Sequence, residues 1–298
     1  ACLSLTGRGP WFYDLNTQKK QGIIQIAGEM VLLTNSTCSF LTGGDIAPER
    51  VEAAGMLGEL AALFRKADLS FLNVEHPLSQ AGVAVRGKKF LHRGKGDHVL
   101  GLVEGGVSAI NLANNHILDF GEGGLLDTIG RLEKHGIPYF GAGADLDIAS
   151  APVVLEKNGI RIGLLGYTST LPTGFAAGPQ VAGVNPIRVR TAYRPAHNLD
   201  ELPGTAPVIE TWPVAEDLAR LTTQVSSLKQ RTHVVMVYVH WGVSMIPQVH
   251  EHQRTIGQAA IDAGADAVFG GHQHVVSAVE FYRDKPIVHC TGDLVFDV

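Results

Sequence analysis

The chain repeats one pattern. From about residue 40 onward, short apolar runs give way, always on their C-terminal side, to clusters of Gly, Asn, Asp, Glu or His. Cys38-Ser39-Phe40-Leu41-Thr42 leads into Gly43-Gly44-Asp45, and Leu69-Ser70-Phe71-Leu72 into Asn73-Val74-Glu75. Residues 107–112 lead into Asn114-Asn115-His116, and residues 233–239 into His240. Ala267-Val268-Phe269 then enters Gly270-Gly271-His272-Gln273-His274, and a last run ends at Thr291-Gly292-Asp293. Between these runs lie helical spacings. One opens at Pro48 with apolar residues at 53, 56, 57, 60, 63 and 64. Another carries Leu125, Leu126, Ile129 and Leu132 and stops at Gly136, with further helices near 214–228 and 251–263. Strands that return to strands through helices make an α/β structure, and in such sheets ligands bind outside the carboxyl ends of the strands.

Composition sets outer bounds. The 298 residues are 45% hydrophobic and 18% charged, enough for a large core in one or two domains. A net charge of −5 recommends neither nucleic acid nor an anionic membrane surface as partner. Three cysteines, Cys2, Cys38 and Cys290, are too few and scattered for a disulfide framework, and Cys290 in its apolar run reads as a buried residue, not a nucleophile. No apolar stretch is long enough to span a membrane and no signal peptide opens the chain, so a cytoplasmic setting is expected. Residues 1–37 are weakly patterned and are expected to form an extension packed on a main domain, 38–298. Within that domain, 167–212 is a long Gly/Pro/Thr-rich excursion carrying Arg188, Arg190 and Arg194, and such excursions are usually functional or mobile. Oligomeric state is not legible.

If the runs are neighbouring strands, Asp45, Glu75, Asn115, His240, His272 and His274 converge on one site. Singly, each has a plainer reading. Asp45 after two glycines suits a turn or cap, Asn73 and Glu75 a turn, Asn114-Asn115 a helix cap, and His240 a satisfied core residue. Six coincidences in order favour convergence. The donors are oxygen and imidazole without thiolate, a set that suits Mn, Fe or Zn, and their number favours two divalent ions with one bridging carboxylate.

In this order, Gly44-Asp45, Asn73-Val74-Glu75, Ala113-Asn114-Asn115-His116 with Asp119-Phe120-Gly121, His240-Trp241-Gly242, Gly271-His272-Gln273-His274 and Gly292-Asp293 resemble the motifs of the bacterial capsule-synthesis CapA family, a branch of the calcineurin-like metallophosphoesterases. The resemblance runs from about residue 40 to 297. It implies an α/β sandwich of two mixed β-sheets flanked by helices, in four layers, with a dimetal site on strand-end loops. It implies Asp45, Glu75 and His274 as ligands of one metal, and Glu75, Asn115, His240 and His272 as ligands of the other. His116 resembles the histidine that protonates the leaving group, with Asp119 orienting its ring. Three positions depart from the pattern. Ala47 stands where classical members carry a histidine ligand, Glu75 replaces their aspartate as in the CapA branch, and Asp293 stands where that branch usually has Asn.

The function implied is hydrolysis by a metal-activated water of a γ-glutamyl or similar amide in an anionic small-molecule or polymeric substrate. Phosphoester cleavage is the alternative. A non-catalytic, metal-containing capsule-polymer assembly module is the rival from another class. Arg188, Arg190, Arg194, His92 and Arg93 are candidates to hold substrate carboxylate or phosphate by forked hydrogen bonds, against the blander reading of a solvated loop.

Overall fold

A computed structural model describes residues 3–4, 25–26, 29–30, 37–49, 51–198 and 200–297. Two six-stranded sheets dominate the described residues. In the first, Phe40–Ala47, Leu69–Val74, Ala109–Asn111 and Tyr139–Phe140 lie parallel in sequence order. The free flank of Phe40–Ala47 takes Asp293–Phe296 in parallel and Leu3–Ser4 antiparallel. In the second, Ile160–Thr168, Val234–His240, Ala267–Gly271 and Lys285–Val288 run parallel, with Val153–Lys157 and Val279–Tyr282 as antiparallel edges. Both sheets are therefore mixed.

Side-chain parity stacks them. Along Val234–His240, Val235, Val237 and Val239 pack with Leu221, Val225 and Leu228 of helix Ala215–Lys229 and Ile256 and Ala260 of helix Glu251–Asp262. The alternate residues Met236 and Tyr238 face the other sheet, where they meet Phe40, Phe71 and Phe140. Phe71 is the hub, with ring centroids of Phe40, Phe140, Phe269 and Tyr238 at 5.8–6.0 Å. Truncating it to alanine would cost about 3–5 kcal/mol. Leu72, Val74 and Ile110 turn outward onto Phe64, Leu102, Leu125 and Ile129 of three further helices. The order is helix, sheet, sheet, helix: the four-layer α/β sandwich expected.

Two local expectations need revision. The spacing after Pro48 predicts one helix, but the helix is only Leu60–Lys66 and is preceded by turns. Gly55 and Gly58 adopt φ of +72° and +52°, left-handed backbone that a right-handed helix cannot continue through. The excursion 167–212 is also more ordered than its composition implies. It contains a hairpin of Val189–Arg194 with Val208–Pro213, and Gly183–Val184 pairs with Ala142–Gly143. Of the extension 1–37, Leu3–Ser4 joins the first sheet and Gln25–Ile26 pairs with Glu29–Met30, while most of the remainder lies outside the described residues.

Candidate metal centre

Strand parity carries polar side chains into the inter-sheet seam where the apolar packing ends. His240 follows Tyr238 on the inner face of its strand, and Asn73 follows Phe71 on the opposing one. Asp45 lies near the end of a wholly buried strand, past a register irregularity between Thr42 and Asp45. Its Oδ1 accepts from Asn73 Nδ2 and from Tyr238 Oη, each at 2.9 Å, and its Oδ2 accepts from the His272 amide at 2.8 Å. One carboxylate thereby ties both sheets to the histidine turn.

That turn carries backbone strain. His272 and His274 have φ of +87° and +55°, the left-handed region that non-glycine residues seldom occupy. The strand itself stops at Gly271, where a β-carbon would collide with the Tyr238 hydroxyl and the Asp45 carboxylate. The two histidines thus reach the site from a turn, not from one face of a strand.

Glu75 is the centre. It is 1% exposed, and neither carboxylate oxygen accepts a hydrogen bond among the described residues. Its Oε1 lies 3.4 Å from His240 Nε2 and 3.8 Å from His274 Nε2. His240 Nε2 also stands 2.8 Å from Asn115 Oδ1. His272 Nδ1 is likewise buried with no hydrogen-bond partner among the described residues. Three overlapping donor groups each have their ligand atoms within 4.8 Å: Glu75, His272 and His274; Asp45, Glu75 and His240; and Asp45, His274 and Asp293. All six sequence candidates are brought together, though these groups mix the two ligand sets that the family resemblance implies.

Burial dominates the electrostatics of these groups. Burial pushes the Glu75 carboxyl well above its ordinary range, and the neighbouring Asp45 charge raises it further. Burial drives His240 well below its usual value and, with His274 beside it, takes His272 down to about 3. Burial also opposes a charge on His274, but its hydrogen bond to Asp293 and that carboxylate's charge outweigh it, and its pKa is raised. Orphaned carboxylate oxygens facing neutral imidazoles are an arrangement that a divalent cation fits, because such ligands bind deprotonated.

Beside the cluster lies a second set. His116 Nδ1 is 2.7 Å from Asp119 Oδ2, and Asp119 is fully buried. Sequence reasoning missed the third member, Lys88, which comes from a polar loop 28 residues upstream of His116. Its Nζ donates to the Asn115 carbonyl at 2.6 Å and to Asp119 Oδ1, and lies 2.8 Å from His116 Nδ1. A proton on Nδ1 satisfies Asp119 Oδ2, and Lys88 is then satisfied by Asp119 Oδ1 and Asn115. His116 Nε2 has no hydrogen-bond partner among the described residues.

The substrate-binding candidates divide. His92 is close: its amide donates to Asp119 Oδ2 at 2.8 Å, its ring lies 4.8 Å from that of His116, and its Nδ1 meets Glu49 at 2.9 Å. Arg93 stacks on Phe120 at 3.1 Å. The other arginines belong to the hairpin region. Arg188 forks onto Asp217 with two bonds of 2.7 Å, Arg194 pairs with Glu210 at 2.9 Å, and Arg190 is exposed opposite Trp212. None of the three is bonded to the cluster. Cys290 is buried and its thiol is pushed up to about 12 by burial, as expected of a core residue. Asp293, on the last strand, meets His274 Nδ1 across 2.9 Å, and Phe296 packs 4.6 Å from the same ring.

No helix among the described residues is long and apolar enough to cross a membrane. The family model described as bacterial capsule synthesis protein PGA_cap matches residues 21–298. The chain is 29% identical over 237 residues to the PGA biosynthesis protein CapA of Bacillus subtilis (strain 168), covering 79% of this chain and 55% of that protein. It is 33% identical over 234 residues to a probable polyglutamine synthesis accessory protein of Mycobacterium tuberculosis, covering 77% and 56%. It thus spans about half the length of these relatives. A hypothetical protein from Thermus thermophilus, solved by crystallography, aligns with a TM-score of 0.48 at 17% identity over 85% of this chain and 75% of that one, too loosely to bear on the site. With the motifs in order and the family match spanning nearly the whole sequence, the chain belongs to the bacterial capsule synthesis (PGA_cap) family, within the metallophosphoesterase-like superfamily.

Proposed function

We propose that the protein is a metal-dependent hydrolase that cleaves a γ-glutamyl amide in a polyglutamate-type polymer or a related anionic substrate. The observation that carries this reading is Glu75, a fully buried carboxylate whose two oxygens have no hydrogen-bond partner among the described residues, surrounded by His240, His272, His274 and Asp45. A structural carboxylate would be paired. The relatives' names, PGA biosynthesis and polyglutamine synthesis, support the substrate class.

Asp45, Glu75, Asn115, His240, His272 and His274 would hold two divalent ions, of Mn, Fe or Zn type, with Glu75 shared. When bound, such a pair supplies Lewis acidity and a water of lowered pKa. The remaining work falls to the chain. Asp119 fixes the His116 ring through Nδ1 and leaves Nε2, which has no hydrogen-bond partner among the described residues, to give a proton to the departing amine. Lys88 locks Asp119 and the Asn115 backbone together, so the proton donor and a metal ligand share one anchor.

The test is turnover by metal-reconstituted protein of three substrates: a γ-glutamyl peptide, a nitrophenyl phosphate and its diester. Release of glutamate from the peptide, lost in His116→Gln with metal retained, is the expected result. Preferential turnover of either phosphate ester would move the protein to the phosphoesterases. Bound metal without turnover of any of the three would make it an assembly module.

A further inference from the structure

The arginines that sequence reasoning nominated are engaged elsewhere, which leaves open how an anionic chain is held. A cleft of about 830 Å³ opens beside the His116 set, between residues 85–88, the start of helix Gly121–Lys134, and residues 172–175 with 180–182. Its volume falls within the roughly 300–1,000 Å³ usual for ligand sites. Lys88 joins it to the centre, because the side chain lines the cleft while its ammonium bonds Asn115 and Asp119. That ammonium also sits 5.4 Å from the ring of Phe175, another lining residue.

Two further charges face the cleft. Arg86 is exposed there, with no hydrogen-bond or ion-pair partner among the described residues. Glu122, in the first turn of the helix, contributes the opposing charge. Lys88 is already paired with Asp119, so of the two cations lining the cleft Arg86 is the one without an ion-pair partner among the described residues.

We propose that this cleft is the substrate-binding site for a carboxylate-bearing polymer segment: Arg86 receives a side-chain carboxylate, Glu122 limits affinity by repulsion, and Lys88 marks the passage to the metal ligands. The proposal rests on the hydrolase reading for its substrate class. An unpaired guanidinium is suited to this task, since it can grip a carboxylate with two parallel hydrogen bonds while losing little of its hydration. An exposed contact of this kind is screened by salt, so the binding should weaken as ionic strength rises.

The experiment is calorimetric titration of the metal-loaded protein with γ-linked pentaglutamate, and with its side-chain carboxamide analogue. Arg86→Glu should weaken pentaglutamate binding by about tenfold and Glu122→Gln should tighten it by about twofold. Metal content should not change in either variant, and the carboxamide analogue should be insensitive to both. Equal affinity of the acidic oligomer for all three proteins, or no binding to the wild type, overturns the proposal. Charge-dependent binding without cleavage supports the cleft and counts against the hydrolase reading instead. Cleavage with KM unaffected by either substitution does the reverse.

Discussion

Oε1 of Glu75 lies 3.4 Å from Nε2 of His240, and neither side chain is open to solvent. In metal-free protein the pair is poorly matched. Burial holds the carboxyl pKa well above, and the imidazole pKa well below, their ordinary values. The folded Glu75 pKa exceeds its unfolded value, so this group costs stability as pH rises through the ordinary carboxyl range toward the folded pKa. Glu75→Gln should therefore raise the melting temperature of metal-free protein at pH 8, by roughly 2–4 °C for each kcal/mol relieved. The same variant should lose stoichiometric metal. Scanning calorimetry of both proteins after chelator treatment checks the first part, and a lower melting temperature would contradict it.

The His116 set separates proton transfer from metal binding. His116→Gln should lower kcat by about 10²–10⁴ while leaving bound metal unchanged. Lys88→Met should act through pH. Burial lowers the His116 pKa, Asp119 raises it, and Lys88 lowers it again. Removing the ammonium lets Asp119 hold the imidazolium, so an activity that needs protonated His116 should persist to higher pH. The kcat–pH profile of the variant should show its alkaline limb displaced upward. An unmoved limb would detach Lys88 from His116.

Asp293 lies on the strand that pairs with the one carrying Ala47, with Asp293 opposite Asp45 and Phe296 opposite Ala47. Asp293 and Phe296 both contact the His274 ring. A carboxylate behind a ligating histidine fixes its tautomer and raises its basicity. Asp293→Asn is expected to weaken metal binding by about tenfold, within the 10- to 100-fold range typical of such partners. Competition with a fluorescent chelator would measure it.

Acid stability offers a check away from the centre. His252 is buried, with Nδ1 3.0 Å from Thr211 Oγ1, and burial followed by the charge of His250 takes its pKa to about 4. Its folded pKa lies below the unfolded value, so the unfolded chain binds a proton that the folded one refuses. Stability should fall by up to about 1.4 kcal/mol per pH unit from pH 6.5 down to 4. His252→Gln should flatten that slope in urea titrations, and an unchanged slope would remove His252 as its source.

What could be read from the sequence follows from local rules. Alternation along 234–240 and the helical spacing at 125–132 each depend on near neighbours, and both strand and helix stand where the pattern puts them. The meeting of Asp45, Glu75, Asn115, His240, His272 and His274 in one place was legible because each sits at the end of an apolar run. Lys88 was not, since its partners are 27–31 residues away and its own loop has no periodicity. Arg188, Arg190 and Arg194 show the converse. Clustering in sequence drew attention to them, but Asp217 and Glu210 determine where Arg188 and Arg194 place their charge. After Pro48, apolar spacing alone overextended the helix because it ignored the left-handed glycines.

The most direct measurement is metal content per chain, by plasma mass spectrometry after reconstitution with Mn, Fe or Zn and desalting, for wild type and His240→Ala. The expected result is about two divalent ions per wild-type chain and a clear loss in the variant, with the fold intact by circular dichroism. Wild-type protein that retains no stoichiometric metal under any of the three ions would contradict the metal-dependent reading of Glu75 and its histidines.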